Sequence, residues 1–213
     1  MRALLLLALA APAACAQSPV TLMPEGSSEG MFGIIAGQAW QREGSKERAS
    51  FVAPYFSMQW SNGAFVEGAS AGWRLSDDPS LQYGAWIGMQ DKAVRGSGSQ
   101  LAPGAFAQWQ VLHDVVLRGR MGVGGRDGQV RLDLSAMWLL PVNADHHLAL
   151  SIASERATVS NHRLALHWDW RLGRRYTLAS SLTGIRLAGS SATAPQVERR
   201  SSLAWSTALL YSF

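Results

Sequence analysis

Alternation at every second residue, in segment after segment of about ten residues, is the feature that most constrains this chain. In Asn161–Leu172 (NHRLALHWDWRL) the even positions Leu164, Leu166, Trp168, Trp170 and Leu172 are lipophilic. The odd positions Arg163, Ala165, His167, Asp169 and Arg171 are small or charged. Gln129–Leu140 sets Val130, Leu132, Leu134, Ala136, Trp138 and Leu140 against Arg131, Asp133 and Ser135, and Val115–Val123 sets Val115, Leu117 and Met121 against Arg118 and Arg120. A period of two is a strand, with one face apolar and one face polar. The closing segment SSLAWSTALLYSF has Leu203, Trp205, Thr207, Leu209, Tyr211 and Phe213 on one face and mostly Ser and Ala on the other. An apolar face that runs to an aromatic at a terminus, where soluble chains fray, needs something other than a protein core to bury it.

Lipid is that something. MRALLLLALAAPAACAQ has the parts of a secretory signal: Arg2, an apolar stretch over Ala3–Ala11, and Ala14-Cys15-Ala16 as a small-residue cleavage site, giving a signal peptide over 1–16. That stretch is too short and too interrupted by Pro12 to span a bilayer. Cys15 is the single cysteine and leaves with it, so no disulfide, thiolate nucleophile or cysteine metal site is expected in the mature chain. A net charge of +4 is too small and too scattered to argue for nucleic acid. No later segment approaches a helical span, yet the chain has 21 Gly and nine Trp. An exported chain of alternating strands enters a membrane only as a closed barrel, because an open sheet edge in lipid leaves backbone groups unpaired.

The fold expected is therefore all-β: a transmembrane antiparallel up-and-down β-barrel over 31–213, after a polar leader over 17–30. The segments are Met31–Trp40, Ala49–Trp60, Ala64–Leu75, Leu81–Gln90, Gly104–Val111, Val115–Val123, Gln129–Leu140, His147–Glu155, Asn161–Leu172, Tyr176–Leu187 and the closing strand. Single-chain barrels favour even numbers. A tight turn within Gly68–Gly72 would split one segment and give twelve strands, and a weak segment outside the wall would give ten. Ala64–Leu75 disobeys the alternation by placing Glu67 among Phe65, Ala69 and Trp73, and Tyr176–Leu187 slips phase near Gly184, as at a bulge. With the C-terminus at the periplasmic rim, SDDPS, LHD, PVNAD and LGRR become inner turns, and DKAVRGSGSQLAP and AGSSATAPQVERR become outer loops.

Tyr211-x-Phe213 is similar to the C-terminal signal through which the barrel assembly machinery recognises outer-membrane proteins. The chain also resembles the MipA/OmpV family. The best match is WRLGRRYTLASSLTGIRL followed by AGSSATAPQVERR, in which Ala194-Pro195 stands for the family's Ser-Pro, and by the strand ending Tyr-x-Phe. Weaker matches are Pro54 with Tyr55, SDDPSLQYGAWIG around Tyr83 and Gly84, and GAFAQW around Gly104 and Phe106. The resemblance implies an outer-membrane barrel of a Gram-negative bacterium that scaffolds a lytic transglycosylase with a murein synthase; some relatives are described as adhesins or permeability proteins. No site residue comes with it.

The charged positions Arg118, Arg120, Arg131, Asp133, Glu155, Arg163, His167, Asp169 and Arg171 are expected to form a polar network in the lumen. If they pair across it they plug the barrel. If water separates them they line a narrow pore with a positive bias. Inward Trp86 and Phe106 would narrow the lumen, which favours a plugged, non-catalytic scaffold; the alternatives are an anion-preferring channel and a surface adhesin. Arg171, Arg174 and Arg175 form a basic periplasmic turn suited to an acidic partner or to headgroups of the surrounding outer-membrane lipid. His167 and Asp169 share a face, with His162 and Ser160 nearby, but a nucleophile and an oxyanion hole would also be needed, so no catalytic set is expected. His146 and His147 lie on an inner turn beside Asp145, and adjacent residues of extended chain point to opposite faces, so neither a metal nor a cofactor site is expected there.

Overall fold

A computed structural model describes residues 23–40, 44–91, 99–124, 129–156, 160–193 and 197–213. The expected signal peptide and most of the leader lie outside them. Twelve antiparallel strands close into one barrel, each bonded to its neighbours in sequence and β1 to β12. They are β1 (Ser28–Trp40), β2 (Arg48–Trp60), β3 (Ala64–Glu67), β4 (Ser70–Arg74), β5 (Leu81–Asp91), β6 (Ser99–Leu112), β7 (Val115–Gly124), β8 (Gln129–Pro141), β9 (His146–Arg156), β10 (Ser160–Arg171), β11 (Tyr176–Ala188) and β12 (Ser201–Ser212). A short 3-10 helix at Gly189–Thr193 precedes β12, and no helix of the described residues is long and apolar enough to cross a membrane.

The split of Ala64–Leu75 is a turn at Gly68-Ala69, where Gly68 has a positive φ of 56° that side-chain-bearing residues rarely adopt. The turn also removes the anomaly at Glu67. Across it Phe65 pairs with Gly72 and Glu67 with Ser70 on the inward face, while Ala64 and Trp73 pair on the outward face. The expected bulge near Gly184 does not exist. β11 stays in register with both neighbours, and the change there is chemical: Ile185 and Leu187 turn inward while Arg186 is exposed. The register shift lies instead between Gln110 and Leu112, where β6 meets β7.

Several boundaries also move. β1 begins at Ser28, inside the stretch read as leader. β6 begins at Ser99, so the end of the expected loop GSGSQLAP belongs to the wall; residues 92–98, and 194–196 in the other outer loop, fall outside the described set. His146 opens β9 rather than lying in a turn. The turn at SDDPS is built on Asp78, whose Oδ1 accepts from the Ser80 N–H and hydroxyl (2.8 and 2.7 Å). Those bonds hold the exposed carboxyl below the ordinary Asp value.

The seam is closed by reciprocal bonds, Gly30 N–H to Phe213 O (3.3 Å) and Phe213 N–H to Gly30 O (3.1 Å). A Cβ at Gly30 would stand 2.5 Å from the Phe213 ring, so glycine is what lets that ring lie across the seam. Phe213 and Tyr211 extend an aromatic patch through Phe32 and Tyr176, with centroids 5.3–6.0 Å apart, and Arg175 donates to the Tyr211 hydroxyl (2.7 Å). At the same end His146 stacks on Trp168 and Trp170, and Trp138 donates to Asp114 (2.7 Å). These amphipathic rings ring one end of the barrel, where a headgroup layer suits them. Between the ends the outward faces are apolar: Ile34, Val52, Leu134, Ile152, Leu164 and Leu209 are all exposed.

Candidate functional site

Alternation sends every second side chain inward, and the lumen is the one enclosed space the fold creates. Its wall is not uniform. On β11, β12, β1 and β2 the inward side chains form apolar clusters: Ala179, Ala208, Leu210, Met31, Ile35 and Tyr55, then Ile185, Ala204, Ala39 and Trp40, with Phe51 packed against both. On β3, β5 and β6 an aromatic cluster of Phe65, Trp86 and Phe106 fills space left by glycines. A Cβ at Gly104 would meet the Trp86 indole at 2.8 Å, and one at Gly84 the Phe106 ring at 2.9 Å. The remaining wall, β7 to β10, carries charge.

That charged wall contains two ion-pair groups. In the first, Glu155 of β9, its side chain only 4% exposed, receives Arg131 at 2.5 Å and Arg163 at 2.7 Å, and Arg163 also donates to Asp133. These residues sit on adjacent strands β8, β9 and β10, so the group lies flat along the wall. Asn161 of β10, wholly buried, pairs in register with Glu155. The second group crosses the interior: Arg118 and Arg120 of β7 reach Glu67 of β3 at 3.9 and 3.4 Å. Arg120 also lies over the Trp86 ring at 5.8 Å, and Arg74 of β4 lies over Phe65 at 5.0 Å while donating to Gln59 (2.8 Å).

Of the residues expected in the lumen network, Arg118, Arg120, Arg131, Asp133, Glu155 and Arg163 are thus drawn into these groups. His167 instead contacts the Ser151 hydroxyl (Nε2 to Oγ 3.1 Å). Asp169 is inward, but its Oδ1 and the Nδ1 of His167 are buried with no hydrogen-bond partner among the described residues. Arg171 stands exposed at the strand end, apart from the network, next to the exposed turn residues Arg174 and Arg175. His162 and His167, an odd number of residues apart, take opposite faces, and His162 is exposed, so it does not join His167 and Asp169 in the lumen. Among the described residues no group of His, Cys, Asp and Glu could hold a metal ion. Sequence reading missed Glu67, Arg74 and Gln59, which together with Arg118 and Arg120 form the crossing.

The lumen arginines are not sealed in. The side chains of Arg118, Arg120, Arg131 and Arg163 keep 23–31% of their surface accessible within the barrel. Charged groups held in that way need water beside them, because full desolvation would cost several kcal/mol per ion.

No family model matches the chain, and no curated protein matches it by sequence. Solved structures share its fold. The NanC porin aligns with a TM-score of 0.52 at 10% identity, covering 84% of this chain and 98% of that one. The KdgM porin, solved alone and in complex with disordered oligogalacturonate, aligns at 0.50 and 8% identity over 88% of this chain and 99% of that one. The fold is thereby a closed twelve-stranded antiparallel barrel, similar to those of these porins.

Proposed function

We propose that this barrel is a narrow channel of a Gram-negative outer membrane, with a preference for small anions, and that the C-terminal end faces the periplasm. The observation that carries the reading is the partial exposure of four ion-paired lumen arginines, which a water-filled lumen would accommodate. The likeness in fold to two porins agrees with it. At the crossing Arg74, Arg118 and Arg120 gather about Glu67, with Glu29 beyond Gln59, three cations against two carboxylates. A low-dielectric wall strengthens such an excess and draws in anions.

Planar-bilayer conductance of the refolded protein tests this, with heat-modifiable gel mobility as the folding control. Steady anion-selective steps are expected. Glu67→Gln should sharpen the anion preference, and Arg118→Gln with Arg120→Gln should weaken it. A folded barrel that carries no current would overturn the reading.

The scaffolding role implied by the MipA/OmpV resemblance has one structural feature in its favour, the exposed basic rim at Arg171, Arg174 and Arg175. It would be supported by retention of a lytic transglycosylase or a murein synthase through detergent extraction, lost when those arginines are neutralised.

A further inference from the structure

The wall of this barrel is incomplete over part of its height. β3 and β4 are four and five residues long, whereas β2 beside them has 13 and β5 has 11. The hairpin turns at Gly68-Ala69, where Gly68 N–H still reaches Phe56 O (2.8 Å) and Met89 N–H reaches Ala69 O (3.1 Å). Beyond that sill β2 runs on from Tyr55 to Arg48 with β1 as its paired neighbour and, among the described residues, no strand on its other edge. Three strand spacings separate β2 from β5 at the sill, about 14 Å, and β2 continues past it for about 26 Å.

The sequence of β2 is adapted to this gap. Bonding direction alternates along a strand, and Phe56 bonds toward β3, so Pro54 directs its nitrogen to the open side. Proline has no N–H to leave unpaired, so the first donor position above the sill carries no cost. Val52 and Ser50, next on that edge, still present backbone polar groups, which bare hydrocarbon would not satisfy.

What lies around the gap indicates what passes through it. Beside it stands the apolar wall with Phe51, Ala53 and Tyr55, and below the sill the Phe65–Trp86–Phe106 cluster. At the level of the sill is Glu67, with Arg118 and Arg120 upon it. At that end of the barrel the segment before β12 is tied to the segment before β2. Glu198 and Arg199 N–H donate to Gly44 O (2.8 and 3.0 Å), Lys46 N–H donates to the Glu198 carboxylate (2.9 Å), and the Cα of Gly44 sits against Val197 and the inward Leu187.

We propose that the gap between β2 and β5 is a lateral doorway between the outer leaflet and the lumen, and that it admits a single-chain anionic amphiphile whose alkyl chain lies against the aromatic and apolar walls and whose head meets Arg118 and Arg120. The doorway concerns binding from the membrane, so it stands or falls separately from ion conduction along the axis.

The test uses the folded full barrel in nanodiscs of neutral lipid, with a stearate carrying a nitroxide near its methyl end, read by electron paramagnetic resonance. A saturable, immobilised component is expected, displaced by dodecanoate or dodecyl phosphate and far less by dodecanol. Arg118→Gln with Arg120→Gln should weaken binding about tenfold, a change of about 1.4 kcal/mol. Ala53→Trp, which takes up lumen space behind the doorway and leaves the charges in place, should remove the component while heat-modifiable mobility persists. An immobilised fraction that never saturates, equal displacement by dodecanol, or indifference to both variants would overturn the proposal.

Discussion

Single residues carry the ionic logic of the lumen, and Glu155 carries the largest share. It is the carboxylate shared by Arg131 and Arg163, and it is nearly inaccessible. Removing one partner of such a group leaves charge without compensation, so Glu155→Ala should destabilise the barrel by about 3–5 kcal/mol. A lowered temperature of the gel-mobility transition would show it, and an unchanged transition would mean that water had replaced the carboxylate without loss. Which residues face inward was legible for long strands such as β7, β8 and β10, because alternation fixes the face once a single residue is placed. It was not legible at Glu67 and Arg74. Without the turn at Gly68-Ala69 the parity runs straight on, and Phe65 and Glu67 are counted on the same face as Trp73. Gly68 was the available signal, and a turn after Glu67 reverses the count at once.

At the scale of elements, the two faces of a strand answer to different media. On β8, Leu134 is exposed on the outer face and Ser135 is its inward neighbour. Leu134→Arg should cost about 2–4 kcal/mol if the position lies near the bilayer midplane. Ser135→Arg, one residue away, should leave stability nearly unchanged and alter conductance instead. Equal effects in urea-titrated refolding into lipid would refute the face assignment. β2 should show a second alternation, in amide exchange: Phe51 and Ala53 bond to β1 and should be protected, while Val52 and Ser50 on the open edge should exchange quickly. Uniform protection along β2 would mean that the edge is covered. The strand count was legible because a split segment was the natural route to an even number. Strand ends were not, because polar stretches such as Ser99–Pro103 pair as readily as apolar ones when a neighbour is present. The apolar lumen wall went unread for a related reason. Met31, Ile35 and Leu210 sit among small residues, and composition does not reveal which neighbours will enclose them.

For the whole molecule, the seam at Gly30 and Phe213 and the short hairpin β3–β4 have opposite effects on shape. The seam makes the wall continuous, and the hairpin interrupts it over part of its height. A tube that is complete around its circumference resists widening through every bond in the hoop. A tube slit partway down resists only below the slit. Above the sill at Gly68, therefore, the barrel can widen or narrow under lateral pressure without breaking a ladder bond among the described residues. Below it, the bore is held by twelve continuous strands. The charged crossing at Glu67 stands where these two regimes meet, so a change in membrane tension would be felt first in the spacing between Glu67 and its two arginines.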